Sequence, residues 1–269
     1  MTLNASGSLD LCYYNFLCAH PLGALSDFNH VFSNLGYLLL GALFLLQLRR
    51  RRRRRARLPR DEEYGIPQHY GLLSSLGAGM MVLALLSASY HVCPNRLNFQ
   101  FEKESLAETA RSLRRPTARP LYTARLVALL IANAVNWGFA LYGLVTQSSD
   151  MASHLLGVLL CNALLYMVFY VSMKLLHGER LRWYAWLYLA GAGAAWAPAL
   201  YYFAAGSTDW ADTPARSRLR NHECRVLAFY DSHDLWHALS ALALYLTFNG
   251  MLTWDDGLSA VRRTEIAVF

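Results

Sequence analysis

The sequence predicts an all-α, polytopic helical membrane protein, and two observations lead to this prediction. Hydrophobic residues make up 55% of the 269 residues, a share too high for an ordinary soluble domain. Six stretches of roughly 20 residues with few or no charges also follow one another along the chain, each long enough to cross a bilayer as a helix. No connecting segment is long enough to form a separate domain. The predicted spans are 31–48, 70–92, 121–147, 154–173, 183–205 and 233–254.

Local signals mark the ends of two of these spans. Pro94 follows the second span and cannot continue a helix, because proline lacks the backbone donor. Asp231 stands in the N-cap position before the sixth span, and Asp234 follows three residues later, which is a capping-box spacing. Inside the third and fourth spans, three asparagines are expected to form hydrogen bonds between helices: Asn133, Asn136 and Asn162.

The arginines indicate how the chain is oriented in the membrane. Residues 1–29 contain no Lys or Arg, whereas 49–55 is an unbroken arginine run. By the positive-inside rule we expect a lumenal or extracellular tail at 1–29 and a transmembrane domain at 30–269, with a cytosolic Arg-rich loop at 49–60. A basic run is also compatible with nucleic-acid binding. We favour the interpretation that it is a topology signal beside anionic cytosolic lipid.

The segments predicted to lie outside carry cysteines and a glycosylation sequon. Asn4 begins an Asn-Ala-Ser sequon, so we expect a glycoprotein. Four of the five cysteines fall in predicted outer segments, namely Cys12, Cys18, Cys93 and Cys224. Because this side is oxidising, we expect one or two disulfides, with the pairing left open.

Two pairs of polar residues at the ends of spans predict a metal site. Ser87 and His91 are four residues apart, and so are His233 and His237, so each pair shares one face of a helix. If the two helices meet, three imidazoles and a hydroxyl converge on one Zn²⁺ ion and leave the fourth ligand position open, as catalytic zinc requires. The alternative is that each histidine is only an interfacial residue at a helix end.

A catalytic zinc site also needs a carboxylate that exchanges protons near the metal. The candidates are Glu102, Asp231 and Asp234. The alternative for each acid is helix capping or solvation.

A strict count of six spans conflicts with this site. It places His91 outside and His233 inside, separated by a hydrocarbon core of about 30 Å. It also places the arginine-rich segment 107–120 outside, against the positive-inside rule. An odd number of additional spans between Phe101 and Leu121 removes both conflicts. We therefore expect this chain to be an internally shortened version of a larger membrane protein.

Several motifs resemble the systemic RNA interference defective transmembrane family, and they occur in order along nearly the whole chain. The resemblance implies a truncated form of a larger fold with a seven-helix core, lacking the family's large extracellular domain and the span that follows it. The matching motifs are CYYNFLCAHP from Cys12, FNHVFSNLGYLLLGALFLL from Phe28, LLSASYHVCPNRLNFQF from Leu85, NWGFALYGL from Asn136, MKLLHGERL from Met173 and DSHDLWHALS from Asp231.

The resemblance also implies functional residues. The family is similar to alkaline ceramidases and adiponectin receptors, which share a serine, three histidines and an aspartate around zinc. By position, Ser87, His91, His233 and His237 match the family's metal-site serine and histidines. Glu102 stands where the family has an aspartate after the FQF triplet.

The predicted function is that of a multi-pass membrane protein of a double-stranded RNA uptake family, in the plasma membrane or the lysosomal membrane. We predict Ser87 and Glu102 as catalytic residues, and His91, His233 and His237 as ligands of Zn²⁺. The alternatives are a zinc-dependent lipid amide hydrolase of ceramidase type and a non-catalytic protein in which the metal is structural. Membrane lipids are expected partners, double-stranded RNA and cholesterol are implied by the resemblance, and a homo-oligomer is left open.

Overall fold

The computed structural model describes residues 12–56, 64–93, 123–146, 151–205 and 213–267. In these ranges the regular secondary structure is helical, apart from isolated β-bridges, so the predicted all-α fold is confirmed. The α-helices in chain order are α1 (Phe28–Ser33), α2 (Leu35–Ala56), α3 (Tyr70–Tyr90), α4 (Thr123–Thr146), α5 (Met151–Leu176), α6 (Trp183–Ala205), α7 (Pro214–Ser217) and α8 (Ser232–Thr253).

Each predicted span coincides with one of the long helices α2, α3, α4, α5, α6 and α8. Within the described ranges, four helical segments are long and apolar enough to cross a membrane, so the count of six spans stays a prediction. The four segments are Phe28–Ala56, Tyr70–Tyr90, Leu156–Leu176 and Ser232–Leu258.

The arginine run differs from the expectation. The prediction placed a loop at 49–60, whereas α2 continues through the arginines to Ala56. Arginine is a good helix former, so the apolar span and its charged extension form one helix.

The chain divides into two compact units. Unit 1 comprises Met1–Asn95 and Arg180–Ile266, and it holds α1 to α3 and α6 to α8. Unit 2 comprises Arg96–Glu179 and Ala267–Phe269, and it holds α4 and α5.

Side chains from α2, α3 and α8 form the core of unit 1. Phe44 in α2 is fully buried and packs against Phe248 in α8, with ring centroids 5.6 Å apart. Gly41 allows α2 and α3 to approach closely, because a Cβ at that position would lie 3.0 Å from the carbonyl oxygen of Gly77. The apolar faces of these helices are therefore buried against one another.

Unit 1 has two distinct ends. At one end, His91 after α3 lies beside His237 in α8, with ring centroids 5.1 Å apart; we call this the histidine end. At the other, Arg51 in α2 pairs with Asp256 after α8, and the hydroxyl of Tyr184 in α6 donates to the same aspartate over 2.9 Å; we call this the arginine end. Hence α2 and α8 run from the histidine end to the arginine end, while α3 and α6 run the opposite way.

In unit 2, α4 and α5 are joined by a pair of amide hydrogen bonds. Asn136 donates to Asn162 over 2.9 Å, and Asn162 donates back over 2.7 Å. The expectation of hydrogen bonds between helices is confirmed for this pair. Such reciprocal amide bonds hold transmembrane helices together.

Candidate metal centre

The three histidines predicted as metal ligands come together at the histidine end. His233 and His237 lie in the first turns of α8, and His91 is the C-cap residue of α3. Their ring centroids are 4.5 Å apart for His233 and His237, 5.0 Å for His91 and His233, and 5.1 Å for His91 and His237. One ring nitrogen of each lies within 4.8 Å of the other two. A set of convergent imidazoles is a ligand arrangement typical of zinc.

The predicted capping box fixes the start of α8. The Asp231 carboxylate accepts from the backbone N–H of His233 over 2.8 Å and of Asp234 over 3.0 Å. Asp234 in turn accepts from the backbone N–H of Asp231 over 3.2 Å. Because both acids hold the first turn of the helix, they set the direction in which the two histidines of α8 project.

Ser33 in α1 orients the ring of His237. Its Oγ lies 2.8 Å from Nδ1 of His237 and 2.8 Å from the carbonyl oxygen of His30. Since the hydroxyl donates its single hydrogen to the carbonyl, it accepts from Nδ1–H of His237. This tautomer leaves a lone pair on Nε2 of His237, which is the atom a metal requires.

A second polar cluster lies beside the three histidines. His30 has Nδ1 2.7 Å from Asp27 and Nε2 3.0 Å from Asp231. Its ring centroid is 5.6 Å from that of His91 and 6.2 Å from that of His233. Because both ring nitrogens donate to carboxylates, His30 has no lone pair to offer a metal. We therefore interpret this cluster as support for the three histidines rather than as a second metal site.

The charge of Asp231 is stabilised by its neighbours. Burial alone would raise the pKa of Asp231. The hydrogen bond and the charge of His30, with a further hydrogen bond from Asn15, instead hold that pKa well below its ordinary value. The side chain is therefore a carboxylate under ordinary conditions, paired with His30 and capping α8.

Of the two predicted catalytic residues, Ser87 falls within the described ranges and Glu102 does not. Ser87 is half-buried on α3, one turn before His91, and its backbone carbonyl accepts from the His91 N–H over 3.1 Å. The spacing of four residues places both side chains on one helix face. Glu102 lies outside the described residues, so its role stays a prediction.

Two disulfides tie the N-terminal segment to the histidine end. Cys12 is bonded to Cys93, two residues after His91, and Cys18 is bonded to Cys224 in the segment before α8. The expectation of one or two disulfides is confirmed, and the structure supplies the pairing. These cross-links connect segments that are 81 and 206 residues apart in sequence.

The sequence-based reasoning missed Asp27, His30 and Ser33 as parts of this site. One signal was present, since Asn29, His30, Ser33 and Asn34 are all polar and lie near the outer end of the first span. Polar side chains at membrane depth usually serve a function or pair with one another.

Comparison with known proteins places these features in a family context. The chain matches the family model described as the dsRNA-gated channel SID-1 over residues 1–113 and 102–269. It is 37% identical to SID1 transmembrane family member 1 of Rattus norvegicus over 363 residues, covering 99% of this chain and 44% of the relative. The Homo sapiens protein of the same name is 37% identical over 358 residues, covering 99% of this chain and 43% of the relative.

A third relative has a different name. Cholesterol uptake protein 1 of Caenorhabditis elegans is 29% identical over 360 residues, covering 100% of this chain and 47% of the relative. The chain therefore spans less than half the length of each of these relatives.

Proposed function

Because the chain belongs to the family of the double-stranded-RNA-gated channel SID-1, we propose that it is a multi-pass membrane protein of double-stranded RNA uptake. The observation that carries this proposal is the family match along nearly the whole chain. The four long apolar helical segments agree with an integral membrane protein. We place it in the plasma membrane or the lysosomal membrane.

The uptake proposal is tested in cells that express the full chain. Labelled duplex RNA, single-stranded RNA and duplex DNA of equal length are supplied to the medium, and internal label is measured after removal of surface-bound material. We expect expressing cells to take up more duplex RNA than cells with an empty vector, without the same gain for the other two. No gain over the control cells contradicts the proposal.

We propose further that His91, His233 and His237 hold one Zn²⁺ ion. Support comes from the convergence of their nitrogens within 4.8 Å and from the tautomer that Ser33 imposes on His237. A bound zinc ion supplies Lewis-acid chemistry at this position and links α3 to α8. The residues around the three histidines fix the orientation of their rings, so less conformational entropy is lost when the ion binds.

A zinc-dependent lipid amide hydrolase is the second candidate function, and the placement of Ser87 favours it. Ser87 and His91 share the α3 face that ends at the metal centre. In this proposal Ser87 hydrogen-bonds the water that attacks the amide carbon of the lipid. Glu102 takes a proton from that water and returns it to the amine that leaves, so the products are a fatty acid and an amine.

Release of fatty acid from ceramide by the purified chain, measured by mass spectrometry, tests the hydrolase candidate. We expect Ser87→Ala to lose the release and to keep its zinc. If the unsubstituted chain binds zinc but releases no fatty acid, the hydrolase candidate fails and the ion has a structural role.

A sterol partner is supported by the name of one relative. We expect a photoreactive cholesterol analogue to label the purified chain in vesicles, and unlabelled cholesterol to compete. Labelling that excess cholesterol leaves unchanged contradicts a specific sterol site.

We also propose that the chain is internally shortened between α3 and α4. In unit 1, α3 ends at the histidine end, whereas α6, the next helix of the same unit, begins at the arginine end. If these two ends lie on opposite faces of a membrane, the chain between α3 and α6 must cross it an odd number of times. The long helices between them, α4 and α5, are two, which is an even number. Alignments of 358 to 363 residues are longer than the 269-residue chain, and the family model matches in two parts that overlap at 102–113, as an internal deletion predicts.

A further inference from the structure

A basic cavity lies at the arginine end of unit 1, away from the histidines. Its volume is about 420 Å³, within the range of sites for small ligands. Its lining includes four arginines, Arg51, Arg54, Arg55 and Arg182, and one acid, Asp256. The cavity therefore has a strong excess of positive charge.

The arginines come from two distant parts of the sequence. Arg51, Arg54 and Arg55 are three and four residues apart on α2, so they share one face of the helix. Arg182 directly precedes α6, and α6 is held at this end by the hydrogen bond from Tyr184 to Asp256. The cavity is thus formed by the fold and not by the arginine run alone.

The single acid of the lining is already engaged. Asp256 pairs with Arg51 and accepts from Tyr184. Among the residues that the structure describes, no carboxylate pairs with Arg54, Arg55 or Arg182. Within the described part of the chain, three guanidinium groups are therefore available to a bound anion.

The position of the cavity indicates the source of that anion. Trp183 and Tyr184 line it, and the Trp183 side chain is 72% exposed. Trp and Tyr are enriched where helices leave the hydrocarbon core, at the level of the lipid headgroups. The arginines of α2 follow its apolar stretch directly, and the positive-inside rule assigns this end to the cytosol.

We infer that this cavity binds the headgroup of a membrane lipid that carries more than one phosphate group. Guanidinium groups bind phosphate through paired, charge-assisted hydrogen bonds, and several arginines around one cavity match several phosphates. Basic pockets between helices on the cytosolic side are suited to such headgroups. Proteins bind duplex RNA across an extended surface, because the double helix is much wider than a small-ligand cavity. A cavity of this volume therefore favours a lipid headgroup.

The test uses the purified full chain in nanodiscs of phosphatidylcholine, titrated with a short-chain phosphatidylinositol bisphosphate. The cavity variant is Arg54→Gln with Arg55→Gln and Arg182→Gln. The matched control, Arg49→Gln with Arg52→Gln and Arg53→Gln, removes the same charge from α2 residues outside the cavity lining.

We expect affinity to fall about tenfold or more in the cavity variant, because charge-assisted hydrogen bonds are lost. The control should change by less than about twofold, because only screened, more distant charge is removed. Equal losses in the two variants, or no binding by the unsubstituted chain, overturn the inference.

A substitution that is expected to raise the affinity distinguishes loss of binding from damage to the fold. Asp256→Asn removes the competing carboxylate and leaves an acceptor for Tyr184, so we expect tighter binding of the bisphosphorylated lipid. Weaker binding in this variant contradicts a site organised around these arginines.

Competition identifies the ligand class. Displacement by the soluble inositol bisphosphate headgroup, with little displacement by phosphatidylserine, supports recognition of a multiply phosphorylated headgroup. Tighter binding of the soluble headgroup than of the lipid shows a free phosphate ligand and overturns the lipid assignment. Tighter binding of duplex RNA overturns it in favour of RNA.

Discussion

Single hydrogen bonds decide which ring nitrogen each residue offers at the histidine end. The carboxylates of Asp27 and Asp231 engage both nitrogens of His30, so this ring acts as a donor. The hydroxyl of Ser33 engages Nδ1 of His237 and leaves Nε2 for a metal. Neighbouring histidines therefore have opposite roles, and their hydrogen-bond partners distinguish them.

The role of Ser33 leads to a prediction about zinc affinity. Ser33→Ala should weaken zinc binding by about tenfold, because loss of a hydrogen-bond partner behind a ligand typically has this effect. Ser75→Ala is the matched control, since the Ser75 hydroxyl is exposed and donates only to the carbonyl of Leu72, one turn away on α3. Competition with a chromophoric chelator measures both affinities, and equal values for the two variants would contradict the positioning role of Ser33.

The sequence predicted the three histidines that the structure brings together, but not the residues that support them. His91, His233 and His237 could be singled out because spacing within a helix is local information. Asp27 was missed because it joins the site only through its local contact with His30. His30 and Ser33 were missed because their partners, Asp231 and His237, lie 201 and 204 residues away in sequence. No spacing pattern in a single sequence encodes such contacts.

Among the helices, the packing of α2 on α3 positions the end of α3 that carries His91. Gly41 is at a close approach of the two helices, where a Cβ would lie 2.9 Å from Cγ of Met81 and 3.0 Å from the backbone oxygen of Gly77. A backbone atom cannot move aside as the tip of a side chain does. The two helices would have to separate to accept a larger residue.

This contact predicts unequal effects of two glycine substitutions. Gly41→Ala should lower the midpoint of thermal unfolding, because overpacking typically costs about 1–3 kcal/mol. Gly79→Ala on α3 should leave the midpoint unchanged or raise it, since a Cβ there meets no atom within 4 Å and alanine is the better helix former. Thermal unfolding, followed by the loss of the native elution peak on size-exclusion chromatography, measures both midpoints. A midpoint for Gly41→Ala that matches the Gly79→Ala value would show that the approach is not tight.

The helices themselves could be predicted well from hydropathy, since each predicted span coincides with a helix. The end of α2 could not. The pairing of Arg51 with Asp256 and the high helix propensity of arginine extend α2 into the predicted loop. The first of these is a contact between residues distant in sequence, which composition does not reveal.

For the whole molecule, the two ends of unit 1 define its orientation in the membrane. We predict that the histidine end faces the lumen or the exterior and that the arginine end faces the cytosol. Engineered glycosylation sites test this in an Asn4→Gln background, because N-glycosylation occurs only in the lumen. Leu219→Asn with Asn221→Thr creates a site between α7 and α8, where the Leu219 side chain is 86% exposed. Asp61→Asn with Glu63→Thr creates one in the sequence between α2 and α3.

We expect the first of these variants, and not the second, to show a mobility shift that a glycosidase removes. The reverse result would invert the orientation. It would place the arginine cavity in the lumen and contradict the assignment of its ligand to the cytosolic leaflet.

Metal analysis of the purified full chain tests the claim that three histidines from α3 and α8 bind one ion. We predict about one zinc ion per chain in the unsubstituted protein and in His222→Ala, whose exposed histidine lies outside the site, and a negligible amount in His237→Ala. Equal zinc in all three proteins, or none in any of them, would contradict the claim.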